Sequence, residues 1–293
     1  MSSESVPYVS VSFLQNLFER HGKKPAKHLG QHFLIDHNIV GIIIDAASSD
    51  LKACGELWAC DIGAGPGVLT LPLAHKYRKV VAVEIDRGLQ PIFGEVLQGY
   101  DNVELVVDDA RKLKWHELIP DQEEIVVFGN LPYSAGPPII NNLLTSDINW
   151  RSGVFMLQRE VAQRLTSEPG NKSYGTLTLA IRFWAEVKMV HQVSPSCFWP
   201  PPEVHSSIVK MSPRKPLPGV EFEHFISLVR AAFNWRRKTI RNALSQAQTP
   251  DLTKAEIDRM LQACEIDPRI RGESLDMDKY MELAREYENN FKE

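Results

Sequence analysis

A doubly wound α/β domain with a small helical domain behind it is the architecture this sequence predicts. Three observations carry it. Between residues 57 and 165, short β-branched runs alternate with helical stretches, the order of βαβ units around a parallel sheet. Those runs are apolar almost throughout, as expected of strands covered on both faces. Beyond Gly219 the pattern is helical only. One domain over 1–212, built on the sheet, and a helical one over 213–293 are the expected units.

The elements follow in order. Leu57–Ile62 reads as a strand ending in a glycine-rich turn, and Val68–Tyr77 as the helix after it. Lys79–Ile85 and Leu89–Gly99 are the next strand and helix. Val103–Val107, Glu124–Phe128 and Gly153–Leu157 are further strands, and Arg159–Leu165 a helix. After Pro169-Gly170 the pattern changes. Thr176–Trp184, Val187–Val193 and Ser206–Met211 read as strands joined by short loops, which suggests an antiparallel hairpin closing the sheet. Ser212–Gly219, with its prolines, reads as a linker. Helices are expected over Glu221–Asn234, Lys238–Gln246, Lys254–Ala263 and Asp276–Asn289.

The 293 residues suffice for one large core and a smaller one. Their 43% hydrophobic and 24% charged content is ordinary for a globular protein. No apolar run approaches the roughly 18–20 residues that cross a bilayer. Met1–Arg20 carries Glu4 and Glu19 and fits neither a secretory signal nor a transit peptide, so a cytoplasmic location is expected. Cys54, Cys60, Cys197 and Cys264 form no Cys-x-x-Cys pair, so neither a disulfide nor a metal site is expected. The net charge of −4 argues against a uniformly basic nucleic-acid binder. Only the local field matters, however, and Arg230, Arg236, Arg237, Lys238 and Arg241 fall in one stretch free of acids. Phe233 and Trp235 within it favour RNA contact over a solvated face.

Asp61-Ile62-Gly63-Ala64-Gly65-Pro66-Gly67 follows the first strand and opens a helix. Glycines there let the backbone turn tightly and approach a ligand, which would equally suit a dinucleotide. Glu84 ends the second strand, where a carboxylate can accept from both hydroxyls of a ribose. Asp109, after the third, can accept from an adenine amino group. The fourth strand runs into Asn130-Leu131-Pro132-Tyr133. An aromatic amine is a poor nucleophile because its lone pair is delocalised into the ring. The Asn130 side-chain oxygen and the Leu131 carbonyl can accept its two N–H groups and draw the nitrogen toward tetrahedral geometry. Pro132 fixes the backbone without a competing donor, and Tyr133 offers a face on which an extruded base can stack.

With this tetrapeptide the sequence resembles methyltransferases acting on amino nitrogens of nucleobases. Over nearly the whole chain it is similar to the ribosomal RNA adenine dimethyltransferases. Lys27–Asp36 (KHLGQHFLID) resembles that family's N-terminal segment, which lies against the methionine part of S-adenosylmethionine. Phe155–Val161 resembles its fifth strand and following helix. Phe198–Ser206 (FWPPPEVHS) resembles its proline-rich loop, whose phenylalanine, here Phe198, helps hold the target adenine. Ala232–Arg241 resembles the basic start of its C-terminal domain. The resemblance implies the class I methyltransferase fold, a Rossmann-like sheet with an antiparallel final strand. It implies cofactor contacts at His32, Leu34, Gly63, Glu84, Asp109 and Asn130. It also implies a monomer that dimethylates two adjacent adenines in a hairpin near the 3′ end of 16S ribosomal RNA, within a precursor 30S subunit. Two positions depart from the family: His32 stands where Asn is usual, and Ser134-Ala135-Gly136-Pro137-Pro138 where Asn-Ile is common after the tyrosine.

Three rivals are set against this reading. A large-subunit RNA methylase of the antibiotic-resistance type is disfavoured by the full C-terminal domain and the Asn-Leu-Pro-Tyr form. A ribosome assembly factor without catalysis is disfavoured by intact Glu84, Asp109 and Asn130–Tyr133. A nicotinamide dehydrogenase leaves Asn130–Tyr133 unexplained.

Overall fold

The computed structural model describes residues 8–48, 51, 54–133, 135–214, 218–247 and 252–290. Ser134 and positions 215–217 of the expected linker lie outside them. In chain order the elements are α1 (Val11–Arg20), β1 (Phe33–Leu34), α2 (His37–Ser48), β2 (Trp58–Ile62), α3 (Thr70–Lys76), β3 (Lys79–Glu84), α4 (Gln90–Val96), β4 (Val103–Val107), α5 (Trp115–Leu118), β5 (Ile125–Asn130) and α6 (Gly136–Leu144). Then come β6 (Trp150–Gln158), α7 (Arg159–Leu165), α8 (Thr176–Trp184), β7 (Ala185–Val193), β8 (Phe198–Trp199), β9 (Ser206–Pro213), α9 (Phe222–Asn234), α10 (Ile240–Leu244), α11 (Lys254–Ala263) and α12 (Met277–Asn290).

Seven strands form one sheet in the order β4-β3-β2-β5-β6-β9-β7. Strands β2 to β6 run parallel, and β9 lies antiparallel against β6. This is the Rossmann-like sheet with a late antiparallel strand that the sequence predicts. The chain winds outward from β2 through β3 to β4, then returns to place β5 on the other side of β2. The strand order therefore reverses between β2 and β5, where a ligand crevice opens at the carboxyl ends of such a sheet. A second, two-stranded sheet pairs β1 antiparallel with β8, with Phe33 opposite Trp199 and Leu34 opposite Phe198.

The chain divides into two compact units, residues 1–162 with 187–213, and residues 163–186 with 214–293. The interval 163–186 thus groups with the helical unit, whereas the sequence reading assigned it to the catalytic domain 1–212. The same interval holds the clearest error in secondary structure. Thr176–Trp184 is a helix, not a strand. Leu177, Leu179, Ile181 and Phe183 alternate with Thr176, Thr178, Ala180 and Arg182, which imitates the strand period. Tertiary packing overrides that pattern. Leu179 and Phe183 join the cluster of Phe225, Val229 and Tyr280, and the Thr178 hydroxyl accepts the Gly175 N–H and donates to the Arg164 carbonyl. Helices α1 and α2 were not assigned from sequence. Among the described residues no helix is long and apolar enough to cross a membrane. All four cysteines are free thiols.

Candidate active site

A cavity of about 230 Å³ opens at the carboxyl ends of β2, β3, β4 and β5. The turn after β2 shapes its floor. Gly63 sits at φ +73°, where a Cβ would meet the Asn130 carbonyl at 3.3 Å. Gly65 sits at φ +57°, where a Cβ would press on the Phe33 ring at 3.1 Å. Side chains rarely adopt these conformations, so the backbone itself faces the cavity. Below the turn, buried Asp61 accepts from the Thr70 hydroxyl at 2.7 Å. Burial, reinforced by the charge of Glu84, pushes the Asp61 carboxyl up to about 7 despite that bond.

Glu84, at the end of β3, is only 7% exposed. One carboxylate oxygen accepts the Gly65 N–H and the other the Asp86 N–H, both at 2.8 Å. Burial raises its pKa against the pull of these donors. Each oxygen keeps a further lone pair, the pattern that suits the two hydroxyls of a ribose. Ile85, next in the chain, lines the cavity with a 48% exposed side chain, an apolar surface for a flat ring. Sequence reasoning assigned Ile85 no role, although an apolar residue directly after the acid at a strand end was the available signal. Asp109 also lines the cavity. Hydrogen bonds from Arg111 to both of its oxygens hold its carboxyl down at about 2. A fully ionised acceptor with lone pairs to spare is what an adenine amine requires.

The N-terminal segment closes one side. The Gln31 side chain accepts the Ala26 N–H at 2.7 Å and donates to Asp86 at 2.8 Å, beside Glu84. Gln31 lay inside the recognised motif without an assigned role. His32 follows it in the cavity wall. Leu34 does not line the cavity; its side chain is buried in the hydrophobic core.

Asn130 ends β5. Its Nδ2 donates to the His32 carbonyl at 2.8 Å. A carbonyl can only accept, so this bond fixes which amide atom is nitrogen and leaves Oδ1 as the acceptor of the amide. The Leu131 N–H donates to the Met156 carbonyl at 3.1 Å, tying the strand end to β6. The Pro132 carbonyl accepts from Ala135 and Gly136 and turns the chain into α6. Tyr133 shares a 2.8 Å hydrogen bond with the hydroxyl of Ser206, a fully buried residue to which the sequence reading assigned no role at the site. Phe198 reaches the same cavity from β8. Apart from Leu34, the expected cofactor and catalytic residues therefore line one space. The donor set fits S-adenosylmethionine: a buried carboxylate for the ribose, an ionised acceptor and an apolar wall for the adenine, and close backbone at the turn.

The expected RNA-binding cations lie in the helical unit. Arg236 is paired with Glu273 and also donates to the Asn171 carbonyl. Arg241 forms a two-point pair with Asp258. Arg230, Arg237 and Lys238 are exposed, and Lys238 lies over the Trp235 ring at 5.5 Å.

Residues 22–283 match the family described as ribosomal RNA adenine dimethylase. The chain is 40% identical over 277 residues to the ribosomal RNA small subunit methyltransferase A of Geobacillus thermodenitrificans, covering 92% of this chain and 93% of that one. It is 34% identical to the protein of the same name from Clostridium acetobutylicum, covering 93% and 97%. A crystal structure of a dimethyladenosine transferase from Plasmodium falciparum superposes with a TM-score of 0.77 at 26% identity, over 88% of this chain and 98% of that one. The chain belongs to the ribosomal RNA adenine dimethylase family.

Proposed function

We propose that this enzyme uses S-adenosylmethionine to dimethylate N6 of two adjacent adenines in a hairpin near the 3′ end of the small-subunit ribosomal RNA, within a precursor subunit. The orientation of Asn130 carries the reading. Its amide nitrogen is engaged by the His32 carbonyl, so Oδ1 is the atom left to accept from an amine. When bound, S-adenosylmethionine supplies an electrophilic methyl group. Asn130 Oδ1 and the Leu131 carbonyl orient the adenine N6, and Tyr133 and Phe198 hold the base in a slot that excludes water. Glu84 and Asp109 hold the ribose and adenine ends of the cofactor, and Gly63 lets it approach the turn. Arg230, Arg237 and Lys238 contact phosphates. The relatives at 34–40% identity bear the small-subunit name, which favours that RNA over the large-subunit one.

The acceptor at Asn130 strengthens as positive charge develops on the nitrogen, so it acts on the barrier more than on binding. Asn130→Ala is expected to lower the single-turnover rate about a hundredfold or more, by analogy with loss of an oxyanion-hole donor. RNA affinity should change little, because phosphate contacts dominate it. Single-turnover methylation of unmodified small subunits, with filter binding alongside, separates the two. A near-normal rate, or RNA affinity lost in proportion to rate, refutes the assignment.

A further inference from the structure

The proline-rich loop that carries Phe198 is joined to the rest of the site by a short antiparallel ladder. The Ile35 N–H donates to the Cys197 carbonyl at 2.8 Å. Leu34 then faces Phe198, and Phe33 faces Trp199. Beyond Trp199 come Pro200, Pro201 and Pro202, which have no N–H to continue a ladder. At that point a side chain takes over. His32 Nδ1 stands 2.8 Å from the Pro200 carbonyl. That oxygen can only accept, so Nδ1 carries the proton.

The same residue meets the other two parts of the site. Its own carbonyl receives Asn130 Nδ2 at 2.8 Å. Its ring lies 6.2 Å from the Tyr133 ring, centroid to centroid, at 21°. One residue thus touches the loop of Phe198, the amide that orients the amine, and the stacking face.

We propose that His32 is a positioning residue for the target adenine: its Nδ1–H holds the proline-rich loop so that Phe198 keeps its place opposite Tyr133 and Asn130. This rests on the reading of Tyr133 and Phe198 as walls of the adenine slot. The imidazole supplies the donor that the proline run cannot exchange through its backbone. His32, expected from the resemblance to contact the cofactor, has its Nδ1 and its carbonyl engaged within the protein instead. Loss of the donor frees the loop without touching Glu84 or Asp109, so it changes methyl transfer and not cofactor affinity.

Two substitutions separate the donor from the ring. His32→Asn puts an amide nitrogen where Nδ1 stands and removes the ring. His32→Phe keeps a ring and removes the donor. With unmodified small subunits as substrate, His32→Asn should keep the maximal single-turnover rate within about threefold. His32→Phe should lose roughly ten- to a hundredfold, the scale of an ångström misplacement of a reacting group. Half-saturation by RNA should move little, since phosphates dominate it, and calorimetric affinity for S-adenosylhomocysteine should stay within about twofold. The calorimetric stoichiometry counts folded sites, so a folding defect does not pass as a rate effect. If His32→Phe does not fold, His32→Leu, which also has no donor, replaces it with the same expectation. A donor-less variant as fast as wild type overturns the proposal, as does His32→Asn as slow as His32→Phe, or cofactor affinity falling in parallel with rate. Phe198→Ala is measured alongside. If it leaves the rate intact, the slot reading itself fails and takes the proposal with it, whereas a slow Phe198→Ala with a fast His32→Phe refutes His32 alone.

Discussion

Replacing Glu84 by Gln tests the ribose contact with the least change in shape. In the structure the two carboxylate oxygens each accept one backbone N–H, from Gly65 and from Asp86, at 2.8 Å. A glutamine has one oxygen. Its amide group therefore faces one of these donors with another donor, in a site only 7% exposed. An orphaned buried donor costs about 1–3 kcal/mol, so the unfolding midpoint should fall by several degrees. On the proposed reading the cofactor also loses a charged acceptor at one ribose hydroxyl. A hydrogen bond to a charged group contributes about 1.5–3 kcal/mol, and about 1.4 kcal/mol is tenfold in affinity. Binding should weaken roughly ten- to a hundredfold. Calorimetric titration with S-adenosylhomocysteine at pH 8, with a thermal scan of the free protein, reads both effects. A folded variant with a lowered midpoint and unchanged affinity would mean that Glu84 only braces the glycine turn.

Two further outcomes follow from the electrostatics. Asp61 sits at about 7 when folded, against an unfolded value of 3.8. The folded state therefore holds a proton that the unfolded state gives up, and stability falls as pH rises through the window from about 4 to 7, by about 4 kcal/mol at most. Asp61→Asn, whose Oδ1 can still accept from Thr70, should flatten that fall in urea unfolding measured across the window; an unchanged slope removes Asp61 as its source. In the helical unit, changing Arg230, Arg237 and Lys238 together to Ala should lower the log–log salt slope of RNA binding by about one unit per lost phosphate contact. Arg236→Ala should lower the unfolding midpoint and leave the slope nearly unchanged; a fall of about one unit would show that the ion pair of Arg236 does not hold it back from RNA.

The central strands were legible because two independent signals agree on them. Val103–Val107 and Ile125–Asn130 are rich in β-branched residues, Trp58–Ile62 is mostly apolar and runs into the glycine turn, and a turn or helix pattern separates each from the next. Helices α7 and α11 fall on the bounds read from sequence. Thr176–Trp184 misled because its alternation describes side-chain types, whereas burial in the structure includes Thr178 together with Leu179, Ile181 and Phe183. A threonine that satisfies its hydroxyl internally behaves as a core residue, and no local pattern announces the distant carbonyl that it will find. Helix α2 went unassigned for a related reason. Its Ile39, Val40, Ile43 and Ile44 are all buried, and β-branched residues lack a clear helical preference until packing decides.

At the site, what sequence supplies is residue type at a strand end, and what it withholds is the partner. Asn130 could be placed at the end of the fourth parallel strand without coordinates, but which of its amide atoms is free depends on a carbonyl 98 positions earlier. The same limit governs the basic stretch. Residues 230–241 contain no acid, and on that ground their charge pointed to RNA. The acids arrive from elsewhere: Glu273 meets Arg236 and Asp258 meets Arg241. A cation already paired with a carboxylate must exchange one anion for another to bind a phosphate, so it contributes less net affinity than one leaving water alone. Local charge in sequence thus counts candidates, and neighbours in space sort them: on the proposed reading the phosphates meet Arg230, Arg237 and Lys238, which are exposed, before the paired Arg236 and Arg241.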